Sequence, residues 1–135
     1  MNRIVFIGSS KFGLKVLEKT LSMGGIKVAG IITAPKKFEI SYSTKPVNNI
    51  LHADFKKIAD KYNIPLQEIK TNMKDKKLFK VMIGWKPEYF LVAGWYHMIP
   101  KEWREVAPAY GLHASLLPLY RGAVSYTHLT LPTKA

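Results

Sequence analysis

The sequence predicts an α/β domain built on a mainly parallel sheet, and three observations carry that expectation. Two short apolar runs rich in β-branched residues, Arg3 to Gly8 (RIVFIG) and Ile26 to Thr33 (IKVAGIIT), flank an amphipathic segment. A strand, helix, strand succession at that spacing is the unit that generates parallel sheets. A third strongly apolar run, Tyr89 to Gly94 (YFLVAG), follows two more amphipathic segments, so the alternation continues along the chain.

Each element has its own warrant. RIVFIG is apolar at consecutive positions and bounded by Gly8-Ser9-Ser10, the pattern of a fully buried strand ending in a turn. Ser9 or Ser10 can cap the next helix, Leu14, Val16, Leu17 and Leu21 form its apolar face, and Gly24-Gly25 ends it. Pro35 to Asn49 is predicted as a polar loop, longer than a routine connection and therefore of the kind that carries function. Ala53 to Tyr62 places Phe55, Ile58, Ala59 and Tyr62 along one helical stripe. Pro65 to Ile69 is predicted as a short strand, Lys74 to Ile83 as a helix and YFLVAG as a central strand. Pro100 sits where the first turn of a short helix tolerates proline, the helix running to about Val106, and Tyr110 to His113 is the next strand.

Composition limits the function classes. A chain of 135 residues that is 47% hydrophobic suits one domain with one core. The absence of cysteine excludes disulfides, thiolate metal sites and a Cys nucleophile, and agrees with a reducing cytosol. The apolar run Ile4 to Gly8 is too short for a signal-peptide core, and nothing approaches the ~18 apolar residues of a membrane span, so a cytoplasmic protein is expected. Lys and Arg number 21 against 9 acidic residues, a formal charge of +12 that favours anionic partners such as nucleic acid or a polyglutamylated cofactor. The lysines fall mostly on predicted helices, and solvated helix faces are the plainer explanation.

In open parallel sheets ligands bind beyond the carboxyl ends of the strands. Three segments meet that condition: the Gly8-Ser9-Ser10 turn, the loop from Gly94 to Pro100 (GWYHMIP), and His113 to Gly122 (HASLLPLYRG). The first lacks both the glycine spacing of a dinucleotide fingerprint and the Lys-Ser or Lys-Thr pair of a P-loop, which favours a structural turn over a phosphate site. No pair of histidines has helical metal-ligand spacing, and no metal is expected.

HASLLPLYRG closely resembles the signature of the folate-dependent formyltransferases, the family containing methionyl-tRNA, glycinamide ribonucleotide and amino-sugar formyltransferases. RIVFIGSSKFGLKVLE looks like that family's first strand and helix, and YFLVAGWYHMIPKE like its pterin-binding strand and loop. The resemblance implies a three-layer αβα, Rossmann-like donor-binding domain over residues 1–124, lacking its carboxyl-terminal strands. Residues 125–135 (SYTHLTLPTKA) look like a translated cloning adapter and are expected to be a non-native tail.

The resemblance also implies an activity: transfer of a formyl group from 10-formyltetrahydrofolate to a primary amine, foremost that of methionyl-tRNA. His113 is the implied catalytic residue. Leu91, Ala93, Gly94, Trp95, Tyr96, Met98, Ile99 and Pro100, with Ser115, Leu116, Leu117 and Pro118, are the implied folate-binding residues. The chemistry fits an imidazole, because formyl transfer passes through a tetrahedral oxyanion that needs an aligned donor, and a group with a pKa of ~6.5 can also shuttle the proton. Two departures bear on activity. Gly111 stands where the family has an asparagine, and no Asp or Glu follows Glu105 to orient His113. The chain alone is therefore expected to be inactive. A nucleotide-linked amino sugar as acceptor and a non-catalytic basic nucleic-acid-binding domain are the alternatives.

Overall fold

A computed structural model describes residues 2–35, 37–38, 47–48, 53–70 and 72–112. In chain order the elements are β1 (Asn2–Ile7), α1 (Lys11–Ser22), β2 (Ile26–Thr33), β3 (Lys37–Phe38), β4 (Val47–Asn48) and α2 (Lys56–Tyr62). They continue with β5 (Leu66–Glu68), α3 (Lys76–Gly84), β6 (Tyr89–Ala93), α4 (Lys101–Val106) and β7 (Ala109–Leu112). The main sheet has the order β5-β2-β1-β6-β7 with every pairing parallel, and β3 and β4 form a separate antiparallel pair.

Alternation along β1 divides the core. Ile4 and Phe6 face a cluster with Leu17 of α1 and Phe55 and Ala59 at α2, whereas Val5 and Ile7 face one with Leu78 and Met82 of α3 and Trp103 of α4. Helices thus cover both faces of the sheet in three layers, as the sequence predicts. Both faces of β1 are shut off from solvent, which is why its apolar residues run consecutively instead of alternating with polar ones. Full burial of such side chains contributes roughly 1.5–3 kcal/mol each, and Phe6 adds a stacked contact with Phe55 at 5.8 Å between centroids.

β2 departs from regular alternation. Ile4 pairs with Val28 but Val5 pairs with Gly30, so the register shifts by one residue at Ala29. Val28 and Ile31 face the α1 side, and Ala29 and Ile32 the α3 side. Gly30 lies directly beneath the indole of Trp85, where an added Cβ would overlap the ring.

Element boundaries follow local hydrogen bonding. Ser10 caps α1 by accepting from the Gly13 N–H at 3.1 Å, and after the helix ends Gly25, at φ +85°, turns the chain so that its carbonyl receives the Asn2 N–H at 2.9 Å. α2 starts later than the predicted Ala53: the Asp54 carboxylate accepts from the Lys56 N–H at 2.9 Å, the side-chain-to-amide contact of a helix start, while the Ala53 N–H reaches the Ser9 carbonyl at 2.9 Å. Pro100 precedes α4 as its cap, its carbonyl accepting from the N–H groups of Trp103 and Arg104. β1 holds the centre of the sheet that the sequence reading gave to YFLVAG, and β6 lies beside it. The predicted loop from Pro35 to Asn49 contains the short β3–β4 pair. At the end of α3 the Arg3 guanidinium donates to the Trp85 carbonyl at 2.7 and 3.2 Å, satisfying an acceptor that the helix leaves open.

Candidate functional site

Chain connections run in opposite directions from β1, with β2 on one side and β6 on the other, so the topological switch point lies between the carboxyl ends of β1 and β6. Protein contacts tie those ends together. The Ser9 N–H donates to the Gly94 carbonyl at 3.0 Å, with the Ser9 hydroxyl 3.5 Å from the same oxygen. A Cβ at Gly8 or Gly13 would fall on the Ala93 carbonyl oxygen, which shows how closely the first turn and α1 approach β6. The amides of Ser9 and Gly13 are therefore engaged by protein oxygens. That arrangement is a structural turn, in line with the missing nucleotide fingerprint.

Gly94 starts the loop at φ +64°, and a Cβ there would land on the Ser10 hydroxyl. Both conditions admit glycine and strain any other residue. Beyond it the side chains alternate. Trp95 packs against the α3–α4 core, Tyr96 is 46% exposed, His97 is half-buried, Met98 is 60% exposed and Ile99 is only 3% exposed. Arg104 of α4 fixes the far end, its Nε donating to the Ile99 carbonyl at 3.3 Å.

The residues implied as folate-binding thus take different places. Leu91 and Ala93 turn into the core under α1 and α2, Ile99 into the core under α3 and α4, and Pro100 caps α4. Tyr96 and Met98 project to solvent. Among the described residues no hydrogen bond engages the main chain of Met98. His113, Ser115, Leu116, Leu117 and Pro118 lie outside the described residues. Gly111 is buried and is the register partner of Val92; Leu112, at the end of β7, is the partner of Ala93.

Two side chains outside the implied site join the loop. Met73, 3% exposed and just before α3, accepts from the Trp95 indole N–H at 3.2 Å. His97 lies against Trp95 with the ring centroids 5.2 Å apart, its Nε2 is shielded from solvent, and burial pushes its imidazole below the ordinary value of 6.5. The available signal was the in-out alternation of Trp95-Tyr96-His97-Met98-Ile99, which reads as an extended segment against a core.

The exposed basic side chains are distributed over all four helices: Lys15 and Lys19 on α1, Lys57 and Lys61 on α2, Lys77 and Lys80 on α3, Lys101 and Arg104 on α4. Both outer layers share the charge. Among the described residues, no group of three His, Asp or Glu side chains is placed to hold a metal ion, and no helix is long and apolar enough to cross a membrane.

A parallel sheet whose switch point is closed by protein contacts, with a shaped loop leaving β6 beside the end of β7, agrees with what family comparison finds. The chain matches the formyl transferase family model over residues 1–131 and belongs to that family. Among its relatives, the methionyl-tRNA formyltransferase of a Nitratiruptor species is 33% identical over 129 residues, covering 96% of this chain and 41% of the relative. Those of Campylobacter curvus (33% identity; 89% of this chain, 38% of the relative) and Syntrophomonas wolfei (34%; 90% and 37%) are similar to it as well. The chain spans about two fifths of the length of these relatives.

Proposed function

We propose that the protein supplies the donor site for formyl transfer from 10-formyltetrahydrofolate to a primary amine, with methionyl-tRNA as the acceptor. The observation that carries this reading is the register of β6 and β7. Ala93 and Leu112 are partners, so the GWYHMIP loop and the HASLLPLYRG segment follow strands that end level with each other at the carboxyl edge of the sheet. That edge is where open α/β sheets place ligands, and the names of the relatives supply the acceptor.

In this reading the loop from Gly94 to Pro100, with Ser115 to Pro118, holds the flat pterin between apolar side chains and main-chain groups such as those of Met98. The amine nitrogen attacks the formyl carbon, a tetrahedral oxyanion forms, and the C–N bond to the folate nitrogen breaks as that nitrogen takes a proton. His113, immediately after Leu112, donates to the oxyanion and passes the proton from the attacking to the leaving nitrogen. Among the described residues lysine is spread over both helical layers, which speaks against a stand-alone nucleic-acid-binding module rather than against a tRNA acceptor met by the longer protein.

Calorimetric titration of the protein with a stable 10-formyltetrahydrofolate analogue tests the donor site. Transfer assays with methionyl-tRNA and with a nucleotide-linked amino sugar test the acceptor. Saturable binding that survives His113→Ala is the expected outcome, and in a chain extended to the length of its relatives the same substitution should reduce transfer about 100- to 10,000-fold. A folded protein that binds no analogue would remove the basis for this function.

A further inference from the structure

The loop after β6 is anchored on both sides. Towards β1, the Gly94 carbonyl receives the Ser9 N–H and the Gly94 backbone lies against the Ser10 hydroxyl. Towards α3, the Trp95 indole N–H donates to the Met73 sulfur at 3.2 Å while the ring packs on the core formed by Met73, Leu78, Met82 and Trp103. His97 covers the same ring. An indole N–H drawn out of water needs a partner, so this bond selects one orientation of Trp95. Orientation matters here because side chains alternate: a slip of one residue would turn Tyr96 and Met98 inward and Trp95 and His97 outward.

We infer that Trp95 is a positioning residue for the donor site and not a wall of it. Through Met73 it fixes the register of the Gly94–Pro100 loop, so that Tyr96, Met98 and the Met98 main chain face the donor. The inference rests on the donor-site reading above and adds the segment before α3 to the residues on which donor binding depends.

The test is donor-analogue affinity in Met73→Leu, Trp95→Phe and the double variant. Leucine keeps the volume of Met73 and removes the acceptor; phenylalanine keeps an aromatic ring at Trp95 and removes the donor. Each single variant is expected to weaken binding about 2- to 10-fold, and the double no further than the weaker single, because both break one bond. The thermal midpoints should stay close to that of the wild type, and the Trp95 indole proton should exchange faster in Met73→Leu. Unchanged affinity in Met73→Leu beside wild-type binding that is intact overturns the positioning role alone, as do effects that multiply in the double variant. A wild-type protein that binds no analogue overturns the donor-site reading as well.

Discussion

Replacing Gly94 by alanine tests the junction on which the candidate site is built. Two costs can be worked out from the geometry. A residue with a Cβ at φ +64° loses roughly 1–2 kcal/mol relative to glycine. The new methyl also falls on the Ser10 hydroxyl, which must turn away and give up its bond to the Gly13 N–H. Loss of an N-cap costs about 1 kcal/mol, so Gly94→Ala should destabilise the fold by about 2–3 kcal/mol, a large share of a typical 5–15 kcal/mol. Urea unfolding of the wild type, Gly94→Ala, Ser10→Ala and the double variant separates the two costs. With the hydroxyl already gone, the glycine substitution should lose its backbone share and what remains of its close approach to the Ser10 Cβ, and the double variant should be about 1 kcal/mol more stable than the sum of the singles. Single effects that add to within ~0.3 kcal/mol would show that Ser10 and Gly94 do not meet as described.

Other substitutions probe separate parts of the structure. Gly30→Ala should cost about 1–3 kcal/mol by driving a methyl into the Trp85 ring, and less in a Trp85→Leu background; equal cost in both backgrounds would place the indole elsewhere. Thr33 is buried and its hydroxyl has no hydrogen-bond partner among the described residues, so Thr33→Val should leave the urea midpoint unchanged or raise it, whereas a loss above about 1 kcal/mol would reveal a partner. Because burial lowers the His97 pKa, the unfolded chain takes up the proton first as pH falls below about 6.5. The stability contributed by neutral His97 is therefore complete above that pH, is lost progressively down to the lower folded-state value, and is constant below it. A His97→Gln variant should lose less stability than the wild type between pH 7.5 and 5, and an identical loss would refute the assignment.

The layers and most strands were legible because burial leaves a simple mark. RIVFIG and IKVAGIIT are consecutive apolar runs with helix-capping and helix-ending residues between them, and both lie where that pattern places them. Periodicity starts α2 three residues early because Phe55 satisfies the helical stripe, whereas the capping contact from the Lys56 N–H to Asp54 places the start at Lys56. Hydropathy alone puts YFLVAG at the sheet centre, yet strand order depends on the direction of each crossover, and apolar content distinguishes interior strands from edges only coarsely. At the site, aromatic identity suggests Trp95 as a wall of the pocket. Its sulfur partner Met73 is 22 positions away, and neither composition nor spacing announces that bond.

The one-residue register shift in β2 also bears on how the family can vary in length. A strand in strict alternation that gained or lost one residue would exchange its two faces from that point on. Here the extra residue is already accommodated, with Ala29 and Gly30 sharing the α3 side between Val28 and Ile31. A chain without Ala29 would straighten and still present Ile31 to α1 and Ile32 to α3. Loss of that one residue would therefore pass through the interior of this sheet beside Trp85 without changing which residues meet which helices.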